Sequence, residues 1–547
     1  MYGAHAMPVC RFRPSEIDFE LPGYRDNKRF VLLSKSHDVN IVDNLPHFPP
    51  LTASVEVVDP FYRTCYGPTF VHNGLIFART NRCLTYAATR LLGARKDCNG
   101  NTHEDLCAAQ KEFITRHKKI LTDYGHILCQ HIEEKYDNLV DSVVRLVREP
   151  HPKRKLRIAA FRELLETNNI SSEVWFREVL GNVKGEEWAK PMKYPRLVND
   201  LTTAASLLGA SATHIMKDCM AAKPLWHNGG VAIFVSSPNH AVLTSVFDLL
   251  INASHPVFIY FSDDACFATT INGKRLMCNL DISTCDGSHT NSLFQTLTMV
   301  TRGKVRQLMR RLIQQCKQPL KLKTRKGRHT AKYRPREPVL YSGSTLTTLV
   351  NNMANLCIFI SVMETRIGDV GDIVSAAARA GYNVTCDVCH CPEKLQFLKH
   401  SPCSFNGHYR PVLNAGVILR LSGVCKRDLP GRKKESMMLR ANRFQRSLMN
   451  CFKNSPRHPL IDALTPTDFT EVIHDFKSGH YILDHTVSDI VFDVPIEHFS
   501  RRYDITVHDY EELCNYSRFG FGYFIRCRAS HAMLKLDYGL DAVRTTI

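Results

Sequence analysis

No window of the 547-residue chain reaches the run of about 18 apolar residues that crosses a bilayer. The most apolar region, 231–261, is interrupted by Ser236-Ser237-Pro238-Asn239-His240, so any membrane association is expected to be peripheral. The opening MYGAHAMPVCRFRPSEID has no apolar core of a secretory signal, and the twenty cysteines lack the spacing of a small disulfide scaffold. A reducing compartment is expected. No internal repeat stands out. From Arg302 to Arg336 there is no Asp or Glu at all beside fourteen Lys and Arg. What remains is a long chain of formal charge +18, able to bury a large core in two to four domains or one multi-lobed body, and fitted to a polyanionic partner.

The most informative stretch is 256–287, PVFIYFSDDACFATTINGKRLMCNLDISTCDG. An apolar run, Val257 to Phe261, ends in Ser262-Asp263-Asp264. A second run, Arg275 to Leu280, ends in Asp281, with Asp286 five residues on. Between them Asn272-Gly273 signals a two-residue hairpin turn, because both residues tolerate positive φ. In such a hairpin opposed residue numbers sum to 545, which sets Asp281 against Asp264. Like charges directly opposed destabilise a hairpin. A divalent cation offsets the repulsion, since carboxylate oxygens are the ligands Mg²⁺ prefers, and two such ions can clamp the attacking and leaving oxygens of a phosphoryl transfer. Solvated turn acids are the alternative.

Residues 1–65 read as an irregular arm. Leu84, Ala87, Ala88, Leu91 and Leu92 have helical spacing, 104–149 continues helical, and 151–168 carries the stripe Ile158, Phe161, Leu164 and Leu165. In 183–198 Lys184, Lys190, Lys193 and Arg196 alternate with Trp188, Tyr194 and Pro195, a strip suited either to triphosphate oxygens or to solvent. Residues 288–316 read as one long helix. The basic run after it, from Gln318 to Pro338, shows little apolar periodicity and is expected to border a nucleic-acid channel through Lys321, Lys323, Arg325, Lys326 and Arg328.

In YSGSTLTTLVNN, 341–352, a Ser342-Gly343 turn precedes Thr347 and Asn351, which share a helix face and offer a hydroxyl and an amide to a ribose; a serine N-cap on a core helix is the plainer reading. GDVGD, 368–372, reads as a turn in which Asp372 caps a short helix, and 393–401 as a strand of a second hairpin. Cys386, Cys389, His390, Cys391, His400 and Cys403 include zinc-like spacing, although a strand through Cys386 separates the ligands; reduced thiols are expected. The C-terminal 140 residues read as a helical lobe, with Thr506 and Asp509 as a capping box.

With these residues in view, the chain resembles viral RNA-dependent RNA polymerases. DISTCD, 281–286, looks like their motif A; SGSTLTTLVN, 342–351, like motif B; VKGEEWAKPMKYPRLV like motif F; 372–388 like motif D; and LQFLKHS like motif E. The order departs from the usual one, because SDD at 262–264, the candidate motif C, precedes motif A. This is similar to the permuted palm of permutotetraviruses, birnaviruses and weivirus-like polymerases, with Ser262 where glycine is usual. The resemblance implies an α+β right hand: an extension over 1–90, fingers over 91–250, palm over 251–300, a basic fingers insertion over 301–340, palm again over 341–405 and a thumb over 406–547. It implies Asp281, Asp263 and Asp264 as catalytic ligands of Mg²⁺, with Mn²⁺ as a possible substitute. Asp286 and Asn351 would recognise the ribose 2′-hydroxyl, supported by Ser342, Gly343 and Thr347, and Lys190, Lys193 and Arg196 would neutralise the triphosphate. RNA template, RNA product and nucleoside triphosphates are the implied partners, with Lys184 joining the basic run on RNA, and the host cytoplasm is the implied location. A non-catalytic basic RNA-binding protein and a reverse transcriptase are the competing readings.

Overall fold

Asn272 and Gly273 both take positive φ, 49° and 75°, and close the hairpin in the expected register, from Ile271 opposite Lys274 to Asp264 opposite Asp281. This hairpin is the middle of a six-stranded sheet. Its strands are β1 (Leu225–His227), β2 (Gly230–Phe234), β3 (Val257–Phe261), β4 (Asp264–Ile271), β5 (Lys274–Ile282) and β6 (Val384–Val388), and they lie in the order β6-β5-β4-β3-β2-β1. Adjacent strands are antiparallel except β2 and β3. That parallel pair needs a crossover, supplied by helix α1, His240–Asn252. The structure is a computed structural model. It describes residues 30–35, 62–64, 84, 87, 88, 90, 91, 101–135, 139–149, 154–167, 169, 172–177, 179–184, 195–236, 238–323, 329–422, 424–426, 431, 432, 434–452, 455–466, 488, 490–516 and 527–539.

Strand side chains alternate between two faces, and each face of this sheet has its own core. Phe258, Tyr260, Ala265, Phe267, Cys278 and Leu280 pack toward helix Thr203–Ala222 and helix α2, Thr347–Met363. Val257, Ile259, Cys266, Ala268 and Met277 pack beneath α1. Every residue of α2 from Leu349 to Val362 is buried, as expected of a helix that is apolar nearly all round. Its buried polar positions, Asn351, Asn352, Asn355 and Ser361, are therefore the ones that require partners.

A second, five-stranded sheet has the order Phe30–Lys35, His329–Pro335, Leu320–Lys323, Val179–Val183, Leu197–Leu201. Two expectations are corrected here. The stretch 1–65 supplies the strand Phe30–Lys35, and also Tyr62–Thr64, which pairs with Val424–Lys426. The basic segment from Gln318 to Pro338 contains two strands: Leu320, Leu322, Ala331 and Tyr333 are buried on one face and alternate with Lys321 and Lys332, which oppose one another on the other.

Three further boundaries move. The expected helix over 288–316 is two helices, Asn291–Met299 and Gly303–Gln315, because Arg302 is extended and Gly303 takes φ 56°. The second hairpin is His400–Phe405 with His408–Leu413; Leu398 and Lys399, at φ 49° and 64°, turn the chain where a strand was expected. The boundary expected at 251 falls inside the six-stranded sheet, which begins at Leu225.

Helices His103–Arg116, Lys118–Lys135, Leu139–Arg148 and Arg154–Thr167 match the helical expectation, although Leu165 of the last is 59 % exposed. Leu84, Ala87 and Ala88 are helical and buried. Between residues 403 and 534 a separate core joins the second hairpin to helices that include Met437–Asn450, Ile496–Tyr503, Val507–Tyr516 and Arg528–Tyr538. The Thr506–Asp509 capping box forms, with Thr506 N donating to Asp509 Oδ2 at 2.8 Å and Asp509 N to Thr506 Oγ1 at 3.0 Å. Cys389 packs beneath α1 and Cys403 in this C-terminal core. Among the described residues no group of three or more His, Cys, Asp or Glu is gathered to hold a metal ion, and no helix is long and apolar enough to cross a membrane.

Candidate active site

Phe261 opposes Asp264, so Ser262 and Asp263 form a two-residue turn between β3 and β4. Ser262 takes φ 57°, a conformation that glycine adopts without strain and that costs other residues on the order of 1 kcal/mol or more. Three asparagines of α2 hold it there. Ser262 N donates to Asn352 Oδ1 at 2.9 Å, Asn355 Nδ2 donates to Ser262 O at 2.6 Å, and Asn351 Nδ2 donates to Ser262 Oγ at 3.1 Å. The turn that carries Asp263 is thereby fixed from a helix ninety residues away in the chain.

Asp264 and Asp281 stand directly opposite one another at the end of the hairpin, with Asp263 on the adjoining turn. All three keep solvent contact, yet protein surrounds Asp264 on its other sides. That burial, with repulsion from Asp263 and Asp281, pushes the Asp264 carboxyl up to about 7 against the opposing pull of Lys399. Asp286 lies on a turn of 3₁₀ helix, Cys285–Gly287, entered through Thr284 at φ 49°. Burial and Asp263 raise its carboxyl to about 6, while an Asn351 hydrogen bond and the charges of Arg196 and Lys184 pull the other way.

The donor set suits hard divalent cations: carboxylate oxygens only, crowded enough to raise one another. Mg²⁺ is usually held through one or two carboxylates together with waters and substrate phosphates, so a gathered three-ligand cage is not a requirement. Asp263, Asp264 and Asp281 are the residues that would hold it.

Ser342 and Gly343, just ahead of α2, pack against the second sheet. Asn199 N donates to Ser342 O at 2.8 Å, and Gly343 sits at φ 107° with its Cα so close that a Cβ would fall 2.4 Å from Asn199 O. Only glycine fits there. Neither Ser342 nor Ser344 is the N-cap of α2; that position is Leu346, and Thr347 Oγ1 donates to Ser344 O at 2.9 Å. Asn351 is buried and fully engaged with Ser262, Asp286 and His289, so its place is behind Asp286 rather than at an open surface.

Lys184 N donates to Arg196 O at 2.8 Å, and both side chains are near enough to Asp286 to act on its charge. Lys321 lines a cavity of about 290 Å³ together with Arg177, Lys332, Gln314, Gln318 and Glu173. Lys323 ends the strand that carries Lys321. Lys190, Lys193, Arg325, Lys326 and Arg328 lie outside the described residues.

GDVGD forms a helix start, as expected, but the cap is Asp369. Its side chain accepts from Asp372 N at 3.2 Å, and Asp372 Oδ2 accepts from Asp369 N at 3.1 Å. Sequence reading missed His289, Asn352, Asn355 and Lys399. Asparagines at 352 and 355 inside an otherwise apolar helix were the available signal; Lys399 lies within LQFLKHS, but nothing there signals its reach to Asp264.

No family model matches the chain, and no curated protein matches it. Among solved structures it is similar to those of viral proteins. One is the structure of the RNA polymerase VP1 from infectious pancreatic necrosis virus, at 10 % identity and TM-score 0.37, covering 70 % of this chain and 66 % of that one. Another is the X-ray structure of the birnavirus VP1-VP3 complex, at 10 % identity and TM-score 0.38, covering 57 % of this chain and 47 % of that one. The chain thus spans about half the length of the latter.

Proposed function

We propose that the protein is an RNA-dependent RNA polymerase that joins nucleoside triphosphates to an RNA 3′-hydroxyl by two-metal nucleotidyl transfer. The observation that carries this reading is the Asp264–Asp281 cross-strand pair, with Asp263 on a turn clamped by the helix that follows Ser342-Gly343. Bound magnesium supplies charge neutralisation at the attacking hydroxyl and the α-phosphate. Asp281, Asp263 and Asp264 fix where those ions sit. Asp286, backed by Asn351, accepts a hydrogen bond from the ribose 2′-hydroxyl. Arg196 and Lys184 approach from the second sheet and offset the phosphate charge as the triphosphate enters. Lys321, across from Lys332 and beside Arg177, contacts the RNA backbone, because three cations in one cavity favour an anionic occupant. In this reading the six-stranded sheet and the second hairpin form the palm, the five-stranded sheet belongs to the fingers, the C-terminal core is the thumb, and motif C precedes motif A. Host cytoplasm is the proposed setting.

The test is nucleotide incorporation by the purified full-length chain on an RNA template, with and without primer, in Mg²⁺ or Mn²⁺. Metal-dependent incorporation of ribonucleotides that EDTA abolishes is the expected result. Binding of RNA without incorporation would favour the non-catalytic alternative, and preference for deoxyribonucleotides the reverse transcriptase.

A further inference from the structure

Asn351 is built into a polar chain that begins far from it in sequence. Its Oδ1 lies 2.8 Å from His289 Nε2, and its Nδ2 lies 3.1 Å from Ser262 Oγ and also serves the Asp286 carboxylate. A carbonyl oxygen only accepts, so His289 Nε2 must carry the proton. Neutral imidazole then has a bare Nδ1, which faces the Tyr382 hydroxyl at 3.3 Å. The donors run in one direction, from Tyr382 through His289 and Asn351 to Asp286.

The ring has little freedom. His289 is 5 % exposed, stands edge-on to Phe294 at 86° and meets Tyr382 at 63°. Its backbone is gripped on both sides by Gln110, whose Nε2 donates to Ser288 O at 3.2 Å and whose Oε1 accepts from Thr290 N at 2.8 Å.

An amide is nearly the same shape after a half-turn, so its sense is set by its neighbours. Turned over, Asn351 would point Oδ1 at the Asp286 carboxylate, two acceptors face to face. We infer that His289 is a positioning residue for sugar selection: its Nε2–H fixes the sense of the Asn351 amide, which holds the Asp286 carboxylate ready to accept from a ribose 2′-hydroxyl. The inference rests on the polymerase reading.

The experiment compares kcat/KM for a ribonucleoside triphosphate with that for its 2′-deoxy counterpart, on primed RNA, in wild type and in His289→Phe, His289→Gln and Tyr382→Phe. His289→Phe keeps a ring but has no donor, and the ribose preference is expected to fall by about tenfold or more, mainly through KM for the ribonucleotide. His289→Gln restores an N–H donor and should recover most of the preference, a rescue that a merely structural role would not give. Tyr382→Phe frees Nδ1 to take the proton and should lower the preference in the same direction. A folded, active His289→Phe protein with the wild-type ratio overturns the inference. Should His289→Phe fail to fold, Tyr382→Phe decides: an unchanged ratio overturns it and a lowered one supports it. A wild-type protein that incorporates no nucleotide removes the polymerase reading and this one with it, whereas an active wild type with unchanged variants removes this one alone.

Discussion

At the scale of single residues, Ser262 combines a cost with a compensation. Its positive φ is relieved in Ser262→Gly, but the hydroxyl that Asn351 reaches is lost. The two effects oppose each other at about 1 kcal/mol each, so stability should change little while turnover falls; thermal melts beside incorporation rates check this. Asp281→Ala and Asp263→Ala are expected to lower incorporation about a thousandfold or more without unfolding the protein. Asp369→Ala or Asp372→Ala should remove a helix cap worth about 0.5–2 kcal/mol and leave catalysis standing. An active Asp263→Ala protein, with a folded but dead Asp369→Ala or Asp372→Ala, would move the active carboxylates to GDVGD. The Asp264–Asp281 pair was legible because hairpin register is arithmetic once the turn is known. The Ser262 clamp and the His289 chain were not, because their partners arrive from sixty to ninety residues away, and the asparagines of α2, though conspicuous in an apolar helix, do not say what they reach.

At the scale of elements, the basic hairpin shows how charge can hide a strand. Leu320 and Leu322 alternate with lysines, and so do Ala331 and Tyr333, which is the period of a half-buried strand, yet the cationic excess made the segment look structureless. Pairing with Phe30–Lys35 and Val179–Val183 then overrides local composition, a non-local effect that no window around Lys321 contains. If Lys321 and Lys332 meet RNA phosphates, replacing both with alanine should weaken binding and flatten the plot of log affinity against log salt by about 0.7 per lost contact. An unchanged slope would leave the hairpin as a solvated surface. The break at Arg302-Gly303 was missed for the opposite reason: helical spacing resumes on both sides, and only the extended Arg302 and the positive φ of Gly303 interrupt it.

At the scale of the whole molecule, the C-terminal core carries a built-in sensitivity to acid. His458 and His498 are buried within it, and burial depresses both to about 3, with His498 and Arg502 respectively adding to the effect. An unfolded histidine titrates near 6.5, so the unfolded state binds the extra protons first, and stability is full above about 6.5 and declines as pH falls toward 3. By pH 5 the loss should be about 2 kcal/mol per histidine. Denaturant midpoints at pH 7.5 and 5 measure it, and His498→Gln should show a shallower fall. The central hairpin and the C-terminal helices were legible from periodicity; the five-stranded sheet was not, since its strand at residues 30–35 pairs with a partner three hundred residues on. The six-stranded sheet has one more consequence. Because its spatial order is the order of the chain, the strands β3 to β5 form a meander of 26 residues, 257–282, closed by tight turns. Contacts so near in sequence form early in folding and lose little loop-closure entropy. On a ribosome the acidic hairpin can therefore take shape before the asparagines of α2 have been synthesised, so that the carboxylates are paired first and locked in place only when residues 351–355 emerge.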